Sequence, residues 1–238
     1  MTRPALLNNT AHAKLRVHRG HGRAYGDNLM SALAVVDEFR SLQACYPIVF
    51  QKSADQTQGT QFQPIVLLGL EEGQNLFLND TGWDAHYVPL SIERGPFMIG
   101  SDGDQLLVHV DMDSPRIAAE AQGEAVFMPH GGPSEFLEHI NSVLMALHDG
   151  AQRNTEFVAA LLKLELLESF VLDVEDDDGS QGRLSGLYIV NEEKLDTLSG
   201  AQLEQLQRDG HLLAIYMTLA SVARFRDLIE RKRKRARA

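Results

Sequence analysis

Tyr46-Pro47-Ile48-Val49-Phe50 and, a little further on, Pro64-Ile65-Val66-Leu67-Leu68-Gly69-Leu70 are the two stretches on which the fold turns. Both are short, apolar and β-branched, and proline suits a strand start, so each reads as a buried strand rather than a helix. The shared Pro-Ile-Val (47–49 and 64–66) is too short for an internal repeat, and two neighbouring antiparallel strands explain it as well. Between them, residues 53–63 are polar and read as a loop.

Working outward, residues 14–18 alternate and predict a first strand, followed by a flexible segment holding Gly20, Gly22 and Gly26. Val36, Phe39, Leu42 and Cys45 recur at helical spacing. Residues 75–78 predict a third short strand. Residues 96–99 and 105–110 predict a hairpin closed by Ser101-Asp102-Gly103-Asp104. Beyond Gly131-Gly132-Pro133 the period changes: Phe136, Leu137, Ile140, Val143, Leu144 and Leu147 make one apolar helix face. Gly150 is expected to break that helix, and Thr155 to cap the next, with Phe157, Leu161, Leu164 and Leu167 facing the core. Residues 170–173 and 184–190 predict two strands joined by an acidic loop. Asn191 and Ser199 are N-cap candidates, Ser199 with Gln202 forming a capping box. A last helix is expected to start near His211 and run past Ala223 into the basic tail. The expected class is α+β, a strand-rich N-terminal half packed with a helix-rich C-terminal half in a single compact unit. Residues 1–24 form a basic arm, 25–228 the folded domain and 229–238 a basic tail.

Composition bounds the function. The 238 residues carry 33 acidic and 22 basic side chains, a net charge of -11, and are 44% hydrophobic, which suits a folded domain rather than an acidic disordered chain. No acid precedes Asp27, while Arg3, Lys14, Arg16, Arg19 and Arg23 do. Residues 231–238 hold six basic groups and no acid. That leaves 11 basic against 33 acidic residues between the ends, a body of net -22. Sequence-specific nucleic-acid binding is not expected of such a body. Cys45 is alone, which excludes an intramolecular disulfide, and no basic neighbour activates it as a nucleophile. No signal peptide or membrane-length apolar run is read, so the expected location is cytoplasmic, with peripheral contact to the envelope open to the tail.

The chemical motifs are weak. Gly20-His21-Gly22-Arg23-Ala24-Tyr25-Gly26 is one residue off the dinucleotide fingerprint and reads as a turn. No G-x-S-x-G elbow accompanies His130-Gly131-Gly132. Residues 173–182 fail the EF-hand pattern. His109-Val110-Asp111 places an H-x-D pair on one strand face, the pattern a non-haem iron enzyme would need together with a distal histidine such as His130, His139, His148 or His211. A bare match of this kind is common by chance, so no cofactor, metal or catalytic residue is assigned. The iron enzyme, or a partner of a modifying enzyme using His109 and Asp111, stays as the alternative.

Taken in order, Tyr46-Pro47-Ile48-Val49-Phe50, Pro64 to Leu70, Asn75-Leu76-Phe77, Gly82-Trp83-Asp84-Ala85-His86-Tyr87-Val88-Pro89 and Pro96-Phe97 resemble the SapC family of bacterial proteins. Thr155, Leu166-Leu167, Asp178-Gly179, Leu184-Ser185-Gly186-Leu187, Lys194-Leu195 and Gly210-His211-Leu212 extend the likeness, over roughly residues 15–228. Where the family tends to read Arg-Arg-Tyr-Pro-Phe, this chain has Glu93-Arg94-Gly95-Pro96-Phe97, so no role of a second arginine or of the tyrosine carries over. The family's name comes from a gene linked to a bacterial surface layer and its secretion. The resemblance therefore implies a non-enzymatic accessory or binding protein of a surface-layer, secretion or uptake system, with a protein or peptide partner. Asn75, Trp83, Tyr87, Arg94 and Phe97 are the partner-binding candidates, because aromatic residues and arginine anchor interfaces. Arg231, Lys232, Arg233, Lys234 and Arg235 are candidates for contact with an anion.

Overall fold

The computed structural model describes residues 3–52, 62–103, 105–118, 122–175 and 181–237. Strands β1 (Pro4–Leu6) and β2 (Arg16–Val17) precede a 3-10 turn at Arg23–Tyr25 and strand β3 (Ser31–Leu33). A second 3-10 turn, Val36–Glu38, runs into α1 (Phe39–Leu42). Then come β4 (Ile48–Lys52), β5 (Phe62–Leu67), β6 (Leu78–Asn79), β7 (Gly82–Trp83), α2 (Leu90–Glu93), β8 (Phe97–Asp102), β9 (Gln105–Asp111) and β10 (Glu124–Ala125). The second half holds α3 (Glu135–Lys163), β11 (Leu167–Glu175), β12 (Gln181–Val190), α4 (Glu192–Asp196), α5 (Gly200–Arg208), α6 (His211–Ser221) and α7 (Arg224–Ala236). The fold is α+β, with the strand-rich first half and helix-rich second half that the patterning predicts.

Two compact units make up the chain. The first comprises Met1–Asn28, Leu78–Asp84 and Leu90–Asp149, and the second Leu29–Phe77, Ala85–Pro89 and Gly150–Ala238. In the first unit the expected hairpin is present as β8 and β9, with β1 added on the free side of β9. Pairing of Asp102 with Gln105 tightens the connection, and Gly103 takes a φ of 59° there, a value a hairpin turn needs and glycine adopts without strain. Phe97 and Val110 face each other across the ladder and are both fully buried. Leu15, Val17 and Val126 join them, and Leu137, Ile140 and Leu144 from the first half of α3 close the core. The basic arm thus supplies two strands, β1 and β2, to this unit.

The second unit is built on a five-stranded antiparallel sheet in the order β11-β12-β4-β5-β3. Its centre is the repeated Pro-Ile-Val: Ile48 pairs with Val66 and Val49 with Ile65. Phe157 from α3 packs against Phe39 and Phe50, and all three are at most 1% exposed. The expected caps hold: Asn191 accepts the Lys194 N–H at 2.7 Å, and Ser199 and Gln202 form the capping box. The loop expected at 53–63 falls mostly outside the described residues, and Phe62 and Gln63 belong to β5.

Two helix boundaries differ from expectation. Gly150 does not break α3, which is 29 residues long in all and ends at Lys163. A Cβ at Gly150 would lie 2.6 Å from the Val35 Cβ, so the glycine lets helix and chain approach closely. Thr155 is consequently mid-helix, its hydroxyl bonded back to the Ala151 carbonyl at 3.2 Å, and caps nothing. The stop comes at Glu165, which adopts a left-handed φ of 55°. There the Leu166 N–H bonds Leu161 O and the Glu165 N–H bonds Leu162 O, a Schellman closure without glycine. The last helix is likewise two helices. At the end of α6 the Ser221 hydroxyl donates to Thr218 O at 2.6 Å and accepts the Ile48 N–H at 2.9 Å, tying the turn to the start of β4.

One ion pair fixes the loop around the 3-10 turn of the first unit. Arg116 is 5% and Asp27 4% exposed. Arg116 Nη2 donates to both Asp27 oxygens, at 2.6 and 2.7 Å. Nη1 donates to His18 O at 3.2 Å and Gly20 O at 2.8 Å, and the guanidinium lies over the Tyr25 ring. Burial alone raises the Asp27 carboxyl's pKa. Hydrogen bonds from His21 and the Gly22 N–H, with the Arg116 charge, outweigh it and bring the pKa below its ordinary value of 3.8.

Two outcomes follow from these contacts. Gly150→Ala should destabilise the protein, because overpacking costs about 1–3 kcal/mol and the helix-propensity gain is only about 1 kcal/mol. Adding Val35→Ala should recover part of the loss in a urea-melt double-mutant cycle. Asp27→Asn should cost about 3–5 kcal/mol at pH 7, since it strands a buried guanidinium. A carboxyl with a depressed folded pKa contributes stability above its unfolded pKa and loses it as pH falls through the folded one. The gap between wild type and Asp27→Asn should therefore narrow below about pH 4; urea midpoints at pH 7 and pH 3 check it.

Candidate functional site

The five partner-binding candidates divide between the units. Asn75 and Phe97 are fully buried and are internal residues rather than surface contacts. The Asn75 side chain accepts the Phe77 N–H at 2.9 Å, and Phe97 stacks edge-on with Phe136. Tyr87 is half-buried in the second unit, donating to Glu38 at 3.1 Å, while its carbonyl accepts the hydroxyl of Tyr46. Trp83 is half-buried in the first unit with its ring edge-on to His21, centroids 5.3 Å apart. Aromatic type alone does not separate core from surface, because the same area serves both.

Arg94 is different. It follows α2 directly, and its Nη1 donates to Phe97 O at 2.6 Å. No carboxylate and no second hydrogen-bond acceptor meets it among the described residues. Burial pushes its guanidinium pKa down, the mark of a cation that has lost water. It borders a cleft in the first unit whose other walls include His18, Arg19, His21, Glu93, Arg116, Phe136 and His139. The Arg19 guanidinium lies over the Phe136 ring at 5.9 Å. Glu93 faces His139 Nε2 at 2.7 Å, and His21 Nδ1 lies 3.4 Å from both Asp27 and Arg116. The cleft's free volume is about 60 Å³, room for a few waters or one small polar group.

The sequence singles out Arg94 and Phe97, and offers His139 only as a distal metal ligand and His21 only as part of a turn; it does not bring Asp27, Glu93 and Arg116 to them. One signal was present: Asp27 is the first acid of the chain, placed at the end of a glycine-rich, basic and histidine-bearing segment. Its partner Arg116 lies far along the chain, and no local spacing announces that.

The other candidates are engaged elsewhere. The Asp111 carboxylate accepts the backbone N–H of Arg3 at 2.9 Å and of Asp113 at 3.1 Å, and His109 Nδ1 is packed on Gly100 with no hydrogen bond. Among the described residues no three His, Cys, Asp or Glu side chains form a group able to hold a metal ion. Cys45 is a free, half-buried thiol. Residues 229–236 of the basic tail lie in α7. Arg231 lies over the Phe77 ring at 4.4 Å, Arg235 donates to Asn75 O at 2.8 Å, and Lys232 pairs with Glu71 at 2.9 Å. Arg233 and Lys234 are exposed. No helix among the described residues is long and apolar enough to cross a membrane.

No curated protein and no solved structure matches the chain. The family model of SapC matches residues 7–228, nearly its whole length. With the Tyr46–Phe50 and Pro64–Leu70 words paired in one sheet, and the Pro96-Phe97 word leading into the hairpin behind Arg94, the chain belongs to the SapC family.

Proposed function

We propose that this SapC-family chain is a non-enzymatic accessory or binding protein of a bacterial surface-layer, secretion or uptake system, and that the cleft beside Arg94 is where it holds its partner. The observation that carries this reading is Arg94 itself. It is a partly desolvated cation with one backbone acceptor, in a small cleft and without a carboxylate partner among the described residues. A guanidinium left this way gains most from a group brought by another molecule, and arginine is enriched among residues that anchor interfaces. The half-buried Trp83, packed on the His21 that lines the cleft, adds an aromatic neighbour of the type that accompanies such anchors.

Cross-linked capture from the bacterial host tests it. The full chain should enrich a partner that Arg94→Gln fails to enrich, although Gln keeps a donor for Phe97 O and circular dichroism should show an unchanged fold. Arg19→Ala, at an exposed position, should weaken the same capture. Equal enrichment by wild type and both variants would overturn the reading.

A further inference from the structure

The cleft's charge identifies the kind of group it holds, an inference that rests on reading the cleft as the recognition site. We infer that it binds a small oxyanion, a carboxylate or phosphate group, with Arg94 as the anchor and Arg19 as the second cation. The chain as a whole carries -11, so an anion is repelled by most of its surface. The cleft reverses that balance: Arg19, Arg94 and Arg116 line it together with three histidines and a single acid, Glu93. Arg116 is neutralised by Asp27 at 2.6 Å, and the Glu93 carboxylate is engaged by His139 Nε2 at 2.7 Å. Arg19 and Arg94 meet no carboxylate among the described residues, so two open cations stand against the single engaged acid, Glu93.

Geometry favours an oxyanion over a neutral group. The bond from Nη1 to Phe97 O holds the Arg94 guanidinium at one corner and leaves its other N–H groups for a ligand. A planar fork of such donors suits the paired oxygens of a carboxylate or phosphate. Arg19 is held by its stacking on Phe136, which lines the same cleft. The free volume of about 60 Å³ admits the head of such a ligand and little more. The rest of the ligand therefore lies outside, as it would for a chain terminus, an acidic side chain or a phosphorylated group.

The test titrates the full chain with sodium phosphate and, separately, sodium acetate, at constant ionic strength held with chloride. Binding is read by calorimetry. Emission from Trp83, the single tryptophan, reports at the site through its contact with His21. A saturable response to either anion is expected, and the tighter arm tells phosphate from carboxylate. Arg94→Gln should weaken it about tenfold or more, the usual scale for losing a charge-assisted hydrogen bond, and Arg19→Ala by a smaller factor. No saturable binding of either anion, or binding unchanged in both variants, would overturn the assignment. If capture from the host needs Arg94 but neither anion binds, the oxyanion assignment falls alone. If an anion binds through Arg94 while capture ignores it, the oxyanion site stands and the partner reading falls.

Discussion

A guanidinium removed from water must find acceptors, and in the first unit the whole segment around residues 18–27 is arranged by that requirement. Arg116 gathers the His18 and Gly20 carbonyls and both oxygens of Asp27, and lies over Tyr25. A short, glycine-rich stretch with one 3-10 turn has little apolar side chain of its own to hold it in place. The ion pair supplies that hold, and it also sets His18 and His21 on the wall of the cleft. A pair of this kind does not by itself argue for high stability, since two charges have been desolvated to form it. Its clearer effect is to specify one loop conformation.

Arg94 lies on the same cleft with the opposite electrostatic outcome. Its fixed acceptor is a single backbone carbonyl, and burial lowers its pKa with no carboxylate among the described residues to offset the loss of water. Of the three arginines that line the cleft, Arg116 is closed by Asp27 and shapes the wall, while Arg94 keeps a single backbone acceptor. Glu93, the one acid on the cleft wall, is hydrogen-bonded to His139. This is the physical basis for reading a binding site in a chain that carries no catalytic motif. In the second unit the candidate residues have partners within the unit: Tyr87 meets Glu38, Tyr46 meets the Tyr87 carbonyl, and Arg231, Lys232 and Arg235 meet the 71–77 segment.

Much of the fold was legible because local rules and tertiary packing agree. The twin Pro-Ile-Val words became paired strands, residues 97–111 became the hairpin, and Asn191 and Ser199 cap helices through their own side chains. The failures came where a local signal had a tertiary cause. Gly150 carries the composition of a helix stop, yet it is glycine because Val35 lies against it. The true stop is at Glu165, where no glycine announces it and the backbone closes through Leu161 and Leu162. Asn75 and Phe97 look like contact residues until the sheet and core bury them. Arg94, Phe97, His21 and His139 were visible singly, but not as one site, since Asp27 and Arg116, and His139 and Glu93, meet across long stretches of chain.

The sequence by itself determined the fold class, the central strands, the Asn191 and Ser199 caps and the family, because these rest on periodicity, on residues a few positions apart, or on ordered words along the chain. It also determined that the body is acidic between two basic ends. Only the tertiary structure decided which charges are cancelled. Coulomb energy depends on distance and on exclusion from water, and neither is written in spacing. That is why Arg116 and Arg94, alike as letters, became a loop clasp and an open cation, and why three of the tail's basic groups turned out to face the protein's own body.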